Sequence, residues 1–171
     1  WMKAAEQSGI PTAFIVGKDL RILWIGHPAA LEEPLAKVVD GKWDVDKAVA
    51  EAKKEKEDAA KLAKFGPKLE KAIDSEDPKQ VLKVLDEIAK EIPAAEERFE
   101  GLKFTCLLQA GEHEKALALA KTMLEGEEAD ESAAHNAIAW AIVDPELKSK
   151  PDAKLIAFAL QSAKKADELE K

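Results

Sequence analysis

The sequence predicts a mostly α protein in two parts: a small α/β piece over residues 1–43, and an all-α domain of helical hairpins over residues 44–171. Three observations lead to this prediction. β-branched and aromatic residues are concentrated in two short runs before residue 28. After residue 42 the chain becomes rich in Ala, Lys, Glu and Leu at helical spacing. Gly and Pro interrupt that spacing at short intervals, which is typical of short helices joined by tight connections.

Two strands joined by a tight turn are predicted in the first part. The runs TAFIV (Thr12–Val16) and LRILWIG (Leu20–Gly26) each have strand length, and GKD (Gly17–Asp19) between them suits a hairpin turn. Both runs are nearly continuous in hydrophobicity. That pattern favours strands covered on both faces over strands with one solvated face.

Helices are predicted on either side of this hairpin. Residues 1–8 have the pattern of a helix end, with Gly9 as the stop. The segment AALEEPLAKVVDG predicts the second helix, in which Pro34 has to fall in the first turn and Gly41 follows the end. The first part therefore has the order helix, strand, strand, helix.

Only helices are predicted from about Val45 onward. The first has an apolar stripe on a surface rich in Lys and Glu, and Gly66-Pro67 is expected to break or kink it. The next begins at the N-cap Asp77, with Gln80 placed for a capping box, and ends at Pro93. The two apolar stripes are Val45, Ala48, Val49, Ala52, Ala59, Leu62 and Ala63, and then Val81, Leu82, Leu85, Ile88, Ala89 and Ile92.

The helical part shows a partial internal repeat. Further helices are expected over 94–110 and 112–124, after a cap at Asp130, and after Pro151. Apolar residues recur in three similar sets: Val81, Leu85 and Ile88; Ala116, Ala120 and Met123; Ala159, Ala163 and Ala166. This pattern resembles the tetratricopeptide repeat, a helix–turn–helix unit of about 34 residues. The aromatic and glycine positions of that repeat are mostly absent, so an antiparallel helical bundle remains the alternative to a repeat solenoid.

A proline stands directly before the first strand, where its missing N–H is tolerated and where a cis bond is common. The run Gly9-Ile10-Pro11-Thr12, then Phe14-Ile15-Val16, then Trp24-Ile25-Gly26-His27-Pro28 resembles the C-terminal half of the thioredoxin-like thiol-disulfide oxidoreductases, the redoxins. The resemblance covers about residues 1–43. It implies that Pro11 is a cis-proline facing redox cysteines, that Ile10 and Thr12 belong to a substrate-binding loop, and that Gly26 leaves room for the partner.

The redox cysteines of that family are missing from this chain. The family's first half, with its Cys-x-x-Cys motif, has no counterpart here, and Cys106 lies far away in the helical part. We therefore expect that the chain is the C-terminal portion of a larger thioredoxin-like protein. We expect no catalytic residue, cofactor or metal site, and no disulfide reductase activity from this chain alone. The family's frequent export makes a cell-envelope or periplasmic location an expectation by resemblance only.

Composition narrows the possible partners. The net charge of −8 disfavours an electrostatic grip on nucleic acid, and no apolar run is long enough to span a bilayer. Cys106 is expected to be a small apolar residue of a buried face, near Phe99 and Leu102, and no reactive thiol. His27 is expected to be a turn residue, and His113 has no second ligand at metal-binding spacing. Trp24, Trp43 and Trp140 are expected in the core or at a domain contact, and His135 is expected to pack or to face solvent.

Two functions of different classes follow. In the first, the chain is part of a thiol-disulfide oxidoreductase whose thiolate attack occurs elsewhere in the protein. In the second, the helical domain is a scaffold that binds a protein or a peptide and has no redox role. In either case an exposed half-sheet over residues 1–43 offers an edge through which two copies of the chain could form a homodimer.

Overall fold

The computed structural model describes residues 9–170, and the predicted helix end over residues 1–8 lies outside them. The chain divides into two compact units, Trp1–Ala59 and Ala60–Lys171. The described part contains two strands, β1 (Ala13–Val16) and β2 (Ile22–Gly26), and seven α-helices. The helices are α1 (Glu32–Val39), α2 (Val45–Asp74), α3 (Pro78–Glu91), α4 (Glu100–Gln109), α5 (His113–Met123), α6 (Ser132–Val143) and α7 (Ala153–Leu169). The prediction of a mostly α protein with a small strand pair near its start is confirmed.

The first unit is built on an antiparallel hairpin. β1 pairs with β2 in the register Ala13 to Gly26 and Ile15 to Trp24, with an irregularity between Ile15 and Val16. The predicted turn is confirmed: the amide of Gly17 donates to the carbonyl of Arg21 at 2.8 Å. The ββα order of strand, strand and α1 is also as predicted.

The hairpin is less covered than its sequence predicts. Among the described residues of the first unit only Ile15 is buried, and every residue of β2 is half-buried. The prediction that both faces of both strands are covered is therefore wrong for this chain. Two strands and one short helix do not supply enough apolar surface to enclose the sheet.

Helix α1 ends as its sequence predicts. Pro34 occupies the first turn, where its missing N–H costs no hydrogen bond. Gly41 has φ +70°, and its amide donates to the carbonyl of Val38 at 3.1 Å. A left-handed residue just past the last turn satisfies carbonyls that the helix leaves open, and glycine adopts that conformation at least cost.

Helix α2 continues through Gly66-Pro67, so the predicted break is wrong and the alternative, a kink, stays a prediction. Pro67 leaves one carbonyl of the preceding turn without its helical donor, but Gly66 and Pro67 are exposed and water can hydrate it. Apolar residues on both sides of the proline pack on the same core and hold the helix together: Leu62, Phe65, Leu69 and Ala72. The division between the two units falls inside this helix, whereas the predicted domain boundary at 43/44 falls just before it and stays a prediction.

Helix α3 has the predicted cap and most of the predicted stripe, although Leu82 and Ala89 are only half-buried and the buried Val84 was not predicted. Asp77 accepts a hydrogen bond from the amide of Lys79 at 3.0 Å, and the Gln80 side chain donates to the other carboxylate oxygen at 3.2 Å. The pKa of Asp77 lies below its usual range, mainly because of the hydrogen bond from the Gln80 side chain and secondly because of the one from the Lys79 amide. A capping box also needs the Asp77 amide to donate to the Gln80 side chain. That amide donates to the Ser75 hydroxyl, so the predicted capping box is wrong. The helix ends before Pro93 as expected.

Three predicted helix starts shift in the structure. The expected helix 94–110 is two short 3₁₀ turns followed by α4, because Phe99 (φ −109°, ψ 5°) leaves helical geometry. Asp130 closes another 3₁₀ turn and does not cap α6, whose N-cap residue is Glu131. Asp152, and not Pro151, opens α7 by accepting from the amide of Leu155 at 2.9 Å.

Two apolar clusters form the core of the second unit. One joins α4, α5, α6 and α7: Phe104, Leu107, Leu108, Ala116, Ala120, Ile138, Ile142, Leu155 and Ala159. The other joins the end of α2 with α3 and α4: Ala72, Val81, Val84, Leu85, Ile88, Ile92, Ala95 and Cys106. The third set of the proposed repeat is only partly in register, because Ala159 and Ala166 are buried but Ala163 is exposed and Ser162 is buried beside it.

Candidate functional site

The four predicted binding residues lie at one end of the β-hairpin. Ile10 and Pro11 are joined by a cis peptide bond, and only Thr12 separates them from β1. Because Ala13 pairs with Gly26, the loop that holds Ile10, Pro11 and Thr12 lies at the end of the hairpin where β2 finishes. The structure therefore brings these four residues together at one end of the hairpin.

The loop before β1 is short, ordered by one side chain and open to solvent. The hydroxyl of Thr12 donates to the carbonyl of Gly9 at 2.6 Å and closes a local turn around the proline. Ile10 is 90% exposed. An exposed main chain beside a strand end can accept an extended peptide by backbone hydrogen bonds, which is how sheet edges recognise such segments.

His27 is a turn residue, as predicted. Its ring Nδ1 accepts a hydrogen bond from the amide of Ala29 at 3.2 Å and caps a short 3₁₀ turn over Pro28–Ala30. A histidine that caps a turn through Nδ1 carries its proton on Nε2. His27 therefore fixes the exit of β2 toward α1.

Gly26 is required by a neighbour within the chain. A Cβ atom at this position would lie 2.3 Å from Cζ2 and 2.7 Å from Cη2 of Trp24, whose indole ring covers the glycine on the same face of β2. Trp24 and Trp43 are half-buried, and the indole N–H of Trp43 donates to the carbonyl of Leu23 at 2.9 Å. The resemblance alone attributes the absence of a side chain to a binding partner, whereas the structure supplies an intramolecular reason.

A groove between α3, α4 and α5 is a second candidate site, and sequence reasoning did not find it. It encloses about 660 Å³. Its floor is apolar, formed by Leu82, Leu107, Ala118 and Leu119, and its rim is charged, with Lys79, Lys83, Lys90, Lys103, Lys115, Asp86, Glu87 and Glu112. A signal for it exists in the sequence, since three of these lysines recur on the polar side of α3.

Lysines prevail on the rim of this groove. Lys103 pairs with Glu96 at 3.0 Å, and Lys115 pairs with Glu112 at 3.2 Å. Glu87 is held by Lys68, whose hydrogen bond is the main reason that the pKa of Glu87 lies below its usual range. Within the part of the chain that the structure describes, the remaining rim lysines, Lys79, Lys83 and Lys90, form no ion pair. Lys83 and Lys90 still contribute to the lowered pKa of Glu87. The rim as a whole carries five lysines against three carboxylates, an excess of positive charge over an apolar floor in a chain whose net charge is −8.

Another groove, of about 500 Å³, lies beside α5 and α7 and is lined in part by His135. His135 was predicted either to pack in the interior or to face solvent. It is buried, which confirms the first alternative. Its Nε2 lies 3.0 Å from the carbonyl of Ala129, while its Nδ1 has no hydrogen-bond partner among the described residues. Since a carbonyl only accepts, Nε2 is the protonated nitrogen and the ring joins α6 to the preceding 3₁₀ turn.

Cys106 is a core residue, which confirms its structural role. It lies in the cluster on which Phe99 and Leu102 pack, and burial raises the pKa of its thiol. A raised pKa suppresses the thiolate, the form that attacks disulfides. Cys106 therefore offers no redox nucleophile.

The remaining candidates have structural roles or are exposed. His113 lies 3.8 Å from the Asp152 carboxylate through Nδ1 and 3.3 Å from the Ser149 hydroxyl through Nε2, which links α5 to the start of α7. Over residues 9–170 no group of three or more His, Cys, Asp or Glu side chains is arranged to hold a metal ion. Trp140 is 66% exposed, so the core alternative is wrong for it and a domain contact stays a prediction. No helix among the described residues has the length and apolar character needed to cross a membrane.

Comparison with known proteins adds no relative: no family model, no curated protein and no solved structure matches the chain. The hairpin end and the groove between α3, α4 and α5 are therefore the features that bear on function.

Proposed function

We propose that residues 1–43 are the C-terminal part of a thioredoxin-like thiol-disulfide oxidoreductase domain, and that the helical domain is an accessory to it. The supporting observation is the position of the Ile10–Thr12 loop beside the end of β2, at Gly26. In this proposal the loop backbone binds the extended segment of a disulfide partner. The cysteines that exchange the disulfide belong to a part of the protein outside residues 1–171.

The exposure of the hairpin supports the proposal that residues 1–43 are part of a larger domain. A two-stranded sheet with one buried residue is marginal in water by itself, because an isolated hairpin buries too little apolar surface. Further strands and a helix on the open faces of β1 and β2 would supply that burial. A thioredoxin-like domain provides them together with the Cys-x-x-Cys segment.

In this proposal residues 1–171 carry out no step of the disulfide exchange. Disulfide exchange begins with attack by an exposed thiolate of lowered pKa. The single cysteine of the chain is buried with a raised pKa. The chain by itself is therefore a binding surface without a nucleophile.

The coding DNA upstream of Trp1 tests this proposal most directly. The expected result is a reading frame that continues upstream into a strand, a Cys-x-x-Cys motif and its helix. A frame that begins within a few codons before Trp1, or an unrelated upstream domain, would overturn the proposal. In parallel, the purified 171-residue chain is expected to reduce insulin no faster than dithiothreitol alone, and a clear acceleration would contradict the assignment of the nucleophile elsewhere.

A second function is favoured by the groove between α3, α4 and α5. We propose that this groove binds a peptide whose acidic side chains meet the rim lysines and whose apolar side chains enter the floor formed by Leu82, Leu107 and Leu119. The excess of positive charge at Lys79, Lys83 and Lys90 supports this choice, because opposite charge attracts a partner and fixes its register. Helical grooves with an apolar floor bind peptides through spaced apolar anchors.

Fluorescence anisotropy with two matched peptides tests the groove. The first labelled peptide alternates Glu and Leu, and the second replaces each Glu by Lys. Binding of the acidic peptide only, weakened about tenfold or more by K83E/K90E and left unchanged by K154E on α7, is the expected outcome. Equal binding of both peptides, or an unchanged affinity in K83E/K90E, would contradict the proposal.

A further inference from the structure

The groove beside α5 and α7, which we call the His135 groove, has two buried polar side chains in its lining. His135 comes from α6 and is 9% exposed, and Ser162 comes from α7 and is 2% exposed. The other interior positions of α7 are apolar: Leu155, Ala159 and Ala166. Polar groups therefore lie in the wall of this groove at depths where the helices otherwise place apolar side chains.

His135 has an unused hydrogen-bond acceptor. Its Nε2–H donates to the carbonyl of Ala129 at 3.0 Å, so in the neutral ring Nδ1 carries a lone pair and no proton. Nδ1 is buried, and it has no hydrogen-bond partner among residues 9–170. Buried polar atoms of native proteins are nearly always hydrogen-bonded, and an exception calls for a partner that the chain does not supply.

Lysines prevail among the charged side chains of the His135 groove. Lys121 of α5, together with Lys164 and Lys165 of α7, stands against one carboxylate, Glu168. In the part of the chain that the structure describes, none of these three lysines forms an ion pair, and Lys165 is half-buried. The groove therefore attracts an anion although the net charge of the chain is −8.

The rest of the lining suits the body of a small organic molecule. Leu124 and Phe158 are half-buried and form apolar walls. The enclosed volume of about 500 Å³ lies within the range of small-molecule sites, in which apolar walls hold the ligand and a few polar groups orient it. A ligand that completes this site has to bring a negative charge for the lysines and a hydrogen-bond donor for Nδ1.

The donor is further limited by the charge of the groove. An ammonium group could donate to Nδ1, but three lysines repel it. A fully ionised inorganic anion satisfies the lysines but has no proton to donate. A hydroxyl group on an organic anion meets both requirements.

We propose that the His135 groove binds a small organic anion that carries a hydroxyl group. The anionic group pairs with Lys165 and its neighbours, and the apolar body of the ligand contacts Phe158 and Leu124. The hydroxyl donates to Nδ1 of His135 and so satisfies the acceptor that the chain leaves open. This site is separate from the peptide groove between α3, α4 and α5.

Three small probes with the same aromatic ring test the proposal. They are para-hydroxyphenylacetate, phenylacetate, which lacks the hydroxyl, and tyramine, in which an ammonium replaces the carboxylate. NMR of the chain labelled with ¹⁵N-histidine measures binding at His135, while His27 and His113 are internal controls. We expect para-hydroxyphenylacetate to shift the Nδ1 resonance of His135 alone, phenylacetate to bind about tenfold more weakly, and tyramine not to bind.

Two variants separate the charge of the groove from the hydrogen bond. K165E is expected to weaken binding of para-hydroxyphenylacetate about tenfold or more, and K154E on the same helix is the matched control. In H135Q the amide can still donate to the Ala129 carbonyl, but the Nδ1 acceptor is gone. H135Q should therefore bind the hydroxylated probe no better than phenylacetate. Far-UV circular dichroism verifies that each variant keeps its helices.

Several outcomes would overturn the proposal. One is a para-hydroxyphenylacetate titration without any change at His135. Equal binding of the three probes would show apolar adsorption without recognition of the charge or the hydroxyl. An affinity that K165E leaves unchanged, or that only K83E/K90E lowers, would place the ligand outside the His135 groove.

Discussion

Replacement of Gly26 by alanine tests whether the indole ring of Trp24 is the reason that a glycine is needed at the end of the hairpin. The added Cβ would lie 2.3 Å from Cζ2 of Trp24, where an ordinary carbon–carbon contact is about 3.5–4.0 Å. The indole ring therefore has to move by more than about 1 Å, or the strand has to bend. Overpacking of this kind typically costs about 1–3 kcal/mol, and we expect a value in the lower half of that range because Trp24 is only half-buried.

The test measures the free energy of unfolding of four proteins, which are the unchanged chain, G26A, W24A and the double variant. Urea denaturation followed by near-UV circular dichroism reports the environment of the tryptophans. We expect G26A to cost about 1–2 kcal/mol by itself and close to nothing when Trp24 is already alanine. G9A is the control, since a Cβ at Gly9 meets no atom within 4 Å.

Two outcomes would refute this reasoning. An equal cost of G26A in the presence and absence of the indole ring would show that the ring is not the obstacle. A G26A protein with unchanged stability and unchanged tryptophan signals would show that the glycine is not required within the chain. The remaining explanation would then be a binding partner, as the family resemblance implies.

Three further predictions concern the second unit. Gly111 and Gly126 both have positive φ, but only at Gly111 would a Cβ approach a neighbour, the Ser149 hydroxyl at 2.8 Å. G126A should therefore cost about 1–2 kcal/mol for the left-handed backbone, and G111A should cost more; equal costs in thermal unfolding would refute the contact argument. Cys106 should react with Ellman's reagent far more slowly in the folded chain than in guanidinium, and a fast reaction of the native protein would contradict its burial. The pKa of Asp77 is lowered in the folded state, so its ionised carboxylate stabilises the fold above its unfolded pKa of roughly 4. This stabilisation is lost as pH falls through the folded pKa. D77N should therefore make the free energy of unfolding depend less on pH in the acid range, and an unchanged pH dependence would contradict this role.

Several local features could be predicted from the sequence because they depend on neighbours along the chain. The hairpin turn at Gly17–Asp19 follows from turn residues between two β-rich runs. The cap at Asp77 and the stop at Pro93 follow from the missing hydrogen bonds of helix ends. Val81, Leu85, Ile88 and Ile92 of the predicted stripe are buried for the same kind of reason, since a period of 3.6 residues puts those side chains on one face.

The candidate sites were only partly predictable. The Ile10–Thr12 loop and Gly26 could be named because they lie in one recognisable run, but the indole ring over Gly26 required the pleat and packing of β2. The lysine-lined groove was not predicted. Its residues come from three helices, and no spacing along the chain indicates which helix surfaces will face each other.

What the sequence by itself determined about this protein is local: two strands near the start, a series of capped helices after them, and the apolar side of each. Tertiary structure alone decided that α2 continues through Pro67, that Ser162 is buried while Ala163 is exposed, and that Trp140 faces solvent. The physical reason is that periodicity sets which side chains share a face of a helix, whereas burial depends on whether another element covers that face. In α6 the core covers the side that carries Ile138 and Ile142, and it leaves Trp140 exposed although that residue is as apolar as its buried neighbours.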